Sequence, residues 1–176
     1  TLLTLLAFRW PILALFEQNP DEGWALGCAL TLAHDPRVWH SVTPGSHGPL
    51  AALALVPGHY IGFALDYGWA RLVGLLMVWG ILMALYGSLR RVASPGAAAL
   101  TLLTGVMWAG LTTFWDFVAY NAEHPTLLLL SLAGYAAVRV VVAEPERGTR
   151  WALCAGMFLS TVPLAKIQGV PPAAAI

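Results

Sequence analysis

The chain has 176 residues, 59% of them hydrophobic and 10% charged, with a mean hydropathy of +0.71; soluble domains carry about 25% charge, so the composition points to an integral membrane protein. Nine Lys or Arg balance nine Asp or Glu, and cations this sparse argue against a nucleic-acid partner, whose phosphates need clustered Lys and Arg. Cys28 and Cys154 lie among small apolar residues without CxxC spacing, which reads as packing rather than as a disulfide or a metal pair.

A crossing helix needs about 20 apolar residues, with roughly 17 tolerated. Five segments approach that length. The first, Thr1 to Phe16, is short and carries Arg9 near its middle and Pro11. It has no cationic start and no small-residue cleavage site, so it fits a truncated first span better than a cleaved signal peptide. The chain opens at Thr1 rather than Met, and Pro171-Pro172-Ala173-Ala174-Ala175-Ile176 looks like the start of another apolar segment. We therefore expect a piece of a longer chain.

A long loop follows, from about residue 17 to 68, with four of the five histidines. It begins with Asn19-Pro20-Asp21-Glu22-Gly23, an adjacent pair of carboxylates in a chain that otherwise avoids charge. Trp24 to Ala33 reads as a short juxtamembrane helix starting after Gly23. Asp35-Pro36-Arg37, flanked by His34 and His40, is a turn by composition, with Pro36 fixing the chain and Asp35 able to close an Asx turn. In Ser46-His47-Gly48-Pro49, Pro49 suits a first helical position. The run from Pro49 to Tyr67 is apolar, but Pro57-Gly58-His59 and Gly62 break it and Asp66 closes it, so we expect in-plane pieces rather than a span. Trp24, Trp39, Tyr60, Tyr67, Trp69 and Trp115 fit an aromatic belt at the headgroup level.

The remaining expected spans are Trp69 to Leu89, Ala97 to Trp115, Thr126 to Ala143 with Arg139 near its end, and Trp151 to Ala165, a marginal one that holds Pro163. Short cytoplasmic loops carry excess Lys and Arg. Arg90 and Arg91 follow the second span, and Arg139, Arg147 and Arg150 surround the loop after the fourth. Placing both inside puts the acid pair with its long loop, Asp116 to His124, and Lys166 with Gln168 all on the outer side. The expected architecture is thus a single all-α membrane module over residues 1–176, with about five transmembrane helices and a long first outer loop containing juxtamembrane in-plane helices.

Several residues on that outer side can carry chemistry, and each has a plainer reading. Asp21 can cap a helix beginning near Trp24, or it can act as a base or a metal ligand, with Glu22 beside it. His47 is either solvated or part of a site. His34, His40 and His47 lack zinc-ligand spacing and no Cys joins them. Asn121-Ala122-Glu123-His124-Pro125 is either a polar connection with Pro125 opening the next helix or part of the same site. Lys166, near Gln168, can snorkel to the interface or meet the phosphate of a lipid-linked ligand as a point charge.

Together these residues resemble the amino-terminal module of GT-C-type integral membrane glycosyltransferases, the class that includes protein O-mannosyltransferases and the aminoarabinose transferase of lipid A. The resemblance lies in a first span ending in Asp21-Glu22, the long outer loop with two juxtamembrane helices, and His47-Gly48-Pro49-Leu50. It continues through Tyr67-Gly68-Trp69-Ala70-Arg71-Leu72, the Glu123 loop and Lys166-Ile167-Gln168. It implies Asp21 as catalytic carboxylate or metal-linked acid supported by Glu22, a divalent cation as a candidate cofactor, and a sugar donor on a polyprenyl phosphate. It further implies transfer to an unidentified acceptor on the non-cytoplasmic face, with His47, Glu123, His124, Lys166 and Gln168 binding substrate. Many relatives carry a basic residue where His47 stands. The competing readings are a non-catalytic membrane protein that binds a lipid or a partner helix, and a transporter in which Arg9 lines a polar path.

Overall fold

The computed structural model describes residues 1–13, 19–43, 45 and 47–176, and of Trp115, Asp116, Pro145 and Glu146 the backbone alone. The expected end of the first span (14–16), the start of the outer loop (17 and 18), Ser46, and the side chains of Trp115 and Asp116 lie outside the described residues. The described residues are predominantly helical, without strands.

Its elements are α1 (Leu2–Leu13), α2 (Pro20–His34), α3 (Pro49–Leu53), α4 (Pro57–Tyr60), α5 (Tyr67–Val92), α6 (Pro95–Leu111), α7 (Trp115–Val118), α8 (Glu123–Val142) and α9 (Pro145–Ala165). A 3-10 turn (Ile167–Gly169) and α10 (Val170–Ala174) complete the chain. Two of them, α5 and α8, are long and apolar enough to cross a membrane. α1 and α6 are apolar but shorter, at 12 and 17 described residues. At 21 residues α9 has the length, but its first turns carry Arg147 and Arg150. The run from Pro49 to Tyr67 forms no long helix: five residues of α3 and four of α4 are far below a crossing length.

Local chemistry sets most boundaries. Asp66 caps α5 by accepting from the Trp69 amide at 2.9 Å, and Ser94 caps α6 at the Ala97 amide, with Pro95 at the first helical position. Two-residue connections at 93–94 and 143–144 make α5/α6 and α8/α9 antiparallel pairs. α8 and α9 share the largest interface, α5 lies on α8, and α1 lodges against both α5 and α6.

The α5–α8 contact shows how these apolar helices come together. A Cβ on Gly80 would stand 2.9 Å from Leu128, and one on Gly87 would stand 2.9 Å from Tyr135. Each glycine thus receives a large side chain, and the equal seven-residue step on both helices identifies a parallel packing. Ala84, Ala133 and Ala136 are buried. Close approach at small residues is how helices associate where no hydrophobic drive separates them from their surroundings. The outward faces are apolar: Leu100, Leu103, Leu111, Val141, Leu153 and Met157 are all more than half exposed.

A second core joins the loop to this bundle. Leu26, Ala29 and Leu32 of α2 pack with Ala52, Leu55 and Val56, and with Ala70 and Val73 of α5. Trp24, Tyr67 and Trp69 pack against that cluster, so these three of the expected belt aromatics are core-supporting residues; Trp39 and Tyr60 are exposed. Gly58 lets α4 lie on the Trp69 indole, since a Cβ there would meet the ring at 2.5 Å, and the indole N–H donates to the Leu55 carbonyl at 2.9 Å. The C-terminal ends of α1, α6 and α9 and the N-terminal ends of α5 and α8 thereby gather at the end of the bundle that α2 and α3 cover, while Arg90, Arg91, Arg139, Arg147 and Arg150 belong to the opposite helix ends.

Candidate functional site

The start of α2 differs from the expectation that Asp21 caps a helix beginning near Trp24. The helix begins at Pro20, and Asn19, in extended conformation, is its cap: the Asn19 Oδ1 accepts from the Asp21 amide at 2.9 Å and the Glu22 amide at 3.4 Å. Asn is as good a cap as Asp, and Pro20 suits the first helical position because no amide is needed there. Asp21 is released from capping and exposed.

Glu22, one step further round the helix, is fully buried. Its Oε1 accepts from the Tyr120 amide at 3.0 Å, and its Oε2 accepts from Arg71 Nε at 3.2 Å and Nη2 at 3.1 Å. Arg71 also donates to the Ile12 carbonyl at 3.1 Å. Burial pushes the Glu22 carboxyl up from the ordinary glutamate range, while the Tyr120 amide and the Arg71 guanidinium pull the other way. Every donor it meets favours the carboxylate. Glu22 therefore ties α2 to α5 and to the loop before α8, whereas the neighbouring Asp21 is exposed.

A second polar cluster forms around His47. The backbone at His47 bridges to Lys166, and the Gly48 amide donates to the Ala165 carbonyl at 2.8 Å. Only glycine allows this approach, since a Cβ at position 48 would lie 1.9 Å from the Leu164 carbonyl oxygen. The Lys166 ammonium pairs with Glu123 at the start of α8, whose side chain is half exposed. The His47 ring packs on Trp24, with centroids 4.9 Å apart. Asp21 lies three residues before Trp24 and so on the same side of α2. The loop, α8 and the end of α9 are thus joined at one place.

The other expected residues divide. His124 is buried, stacked at 5.7 Å on Tyr120, with Nδ1 2.9 Å from Asn121 Oδ1; it braces the loop that holds Glu22. Gln168 is exposed on the 3-10 turn after Lys166. Asp35 closes the expected Asx turn onto the Arg37 amide and adds a forked pair to Arg37 Nε and Nη2, both at 2.8 Å. The Arg37 guanidinium first, and the Ser41 hydroxyl second, hold the Asp35 carboxyl well below the usual range.

Sequence reasoning left one cation, Arg9, without a partner. Arg9 donates to the Ala109 carbonyl at 2.6 Å and to the Phe117 carbonyl at 3.5 Å. Ala109 belongs to the last turn of α6, whose carbonyls have no intrahelical donor and carry the negative end of the helix dipole. A mid-segment arginine is therefore a C-terminal cap for a neighbouring helix. The sequence shows Arg71 within the segment Tyr67-Gly68-Trp69-Ala70-Arg71-Leu72, and nothing local there points to Glu22.

Among the described residues no group of three or more His, Cys, Asp or Glu side chains is placed to hold a metal ion. No step below is routed through a metal. Comparison with family models, with curated proteins and with solved structures returns no match.

Proposed function

We propose that the chain is a module of a GT-C-type glycosyltransferase that crosses a bacterial plasma membrane five times, through α1, α5, α6, α8 and α9. It moves a sugar from a polyprenyl-phosphate donor to an acceptor on the outer face. The observation that carries this reading is the meeting of His47, Glu123 and Lys166 beside the Asp21-bearing side of α2, at the bundle end away from the arginines. Membrane embedding draws support from the apolar outward surface. Only 22% of the most apolar stretch of α5, and the same share of α8, is buried inside the chain, whereas the core helix of a soluble domain is mostly buried. The arginine-rich ends take the cytoplasmic side by the positive-inside rule.

In the proposed step Asp21 takes the proton of an acceptor hydroxyl, whose oxygen forms the new bond to the anomeric carbon. The bond from that carbon to the phosphate oxygen breaks, and the polyprenyl phosphate leaves with the electron pair. Lys166, aided by His47, neutralises the departing charge, and Glu123 positions Lys166. Glu22 acts through Arg71 and Tyr120 by holding the start of α2. In membranes supplied with a polyprenyl-phosphate sugar, Asp21→Asn should lower transfer by about 10²-fold or more while leaving insertion and thermal stability unchanged. Undiminished transfer in that variant removes Asp21 from the mechanism.

A further inference from the structure

Two histidines that the proposed transfer does not use come together on the outer loop. His34 is the last residue of α2, and His59 belongs to α4, 25 positions later. Their ring centroids lie 5.2 Å apart with planes at 72°. Both residues are exposed, so a hydrated ion has access, and neither takes part in an ion pair among the described residues. The pair is held from behind: the Tyr60 hydroxyl donates to the Ala33 carbonyl at 3.4 Å, and the Tyr60 ring packs edge-on against His59 at 5.3 Å.

We infer that His34 and His59 bind a borderline divalent transition-metal ion, of the zinc or copper(II) kind, and that this ion ties the end of α2 to α4. Separation is the first argument. An ion about 2.1 Å from each imidazole nitrogen sits roughly 3.2 Å from each ring centre, so a tetrahedral angle at the metal sets the centres about 5.2 Å apart. The observed spacing meets that requirement with the backbone as it stands. Turning the rings from edge-to-face to a common focus needs rotation about the Cβ–Cγ bonds, a soft torsion in histidine. Ligand chemistry is the second argument. Two neutral nitrogens and no carboxylate suit zinc and copper(II) and do not suit magnesium or calcium, which take oxygen ligands. With two protein ligands the ion keeps positions for water, so the site binds reversibly.

The test uses the purified full chain in detergent, stripped of metal and titrated with zinc by calorimetry, with copper(II) electron paramagnetic resonance as a second readout. We expect one equivalent of zinc to bind and to raise the unfolding temperature. His34→Ala and His59→Ala should each weaken binding at least about tenfold, and the double variant should abolish both the binding and the thermal shift. His40→Ala, a change at another exposed loop histidine, should leave both intact. Copper hyperfine structure should show two nitrogens in the parent chain and at most one in each single variant. Parent-like zinc affinity in the double variant, or no binding by the parent, overturns the assignment. Because both side chains are exposed, the variants should fold as the parent does.

Discussion

Removing the Glu22 carboxylate should destabilise the protein more than any change at its exposed neighbour Asp21. Glu22→Ala takes away the acceptor for three donors at once, the Tyr120 amide at 3.0 Å and Arg71 Nε and Nη2 at 3.2 and 3.1 Å. It also removes a carboxylate 3.1 Å from the Arg71 guanidinium, whose side chain is 1% exposed. Breaking a buried pair from one side costs about 3–5 kcal/mol. For a chain of this size that is a fall in unfolding temperature of order 10 °C. Arg71→Met should cost a comparable amount, for the converse reason. The double variant Glu22→Ala with Arg71→Met should cost about as much as either single change, because the carboxylate and the guanidinium are removed together, although the Tyr120 amide still loses its acceptor. The coupling between the two sites should therefore be at least about 2 kcal/mol. Thermal or denaturant unfolding of the four proteins in one detergent, read by tryptophan fluorescence, measures the cycle. Additive single effects, or a Glu22→Ala cost below about 1 kcal/mol, the range of an exposed pair, would refute the reasoning.

Three further outcomes follow from single contacts. Gly48→Ala places a Cβ 1.9 Å from the Leu164 carbonyl oxygen, so the His47 segment must withdraw; a disulfide between His47→Cys and Lys166→Cys, in a chain without Cys28 and Cys154, should form readily while Gly48 is kept and poorly once Gly48→Ala is added. Gly87→Leu should separate α5 from α8, since even a Cβ there meets the Tyr135 ring at 2.9 Å; a loss of about 1–3 kcal/mol in unfolding free energy is expected, and an unchanged value would place the interface elsewhere. Asp35 supplies a pH test. Its folded pKa is depressed, so its contribution is present above the unfolded carboxyl pKa of about 3.9 and is lost as pH falls below that value toward the folded one. Asp35→Asn should therefore flatten the acid limb of the stability curve and leave the neutral region nearly parallel to the parent.

Much of the outline was legible in the residues themselves. Apolar run lengths, the prolines and glycines at 57, 58 and 62, and the arginines at 90, 91, 139, 147 and 150 point to helices and to two chemically distinct bundle ends without reference to any contact. The prediction that Pro49 to Tyr67 breaks into short pieces holds because a proline and a glycine act on their own backbone. Boundaries were less accurate. α8 begins at Glu123 rather than Thr126, and α6 stops at Leu111 rather than Trp115; hydropathy locates an apolar run, not the capping geometry that ends a helix.

The candidate site was legible as a list but not as an arrangement. Composition placed Asp21 beside Glu22 and could not say which faces inward. That depends on Arg71 and Tyr120, 49 and 98 positions away. Arg9 has its acceptor 100 positions along the chain, and His34 meets His59 only because α4 folds back on the end of α2. Sequence by itself determined which segments are helical and which end of each is polar, because propensity, capping and apolar run length act over a few residues. Tertiary structure alone decided which carboxylate is buried in an ion pair and which stays exposed, because burial and pairing exist only once distant segments have packed.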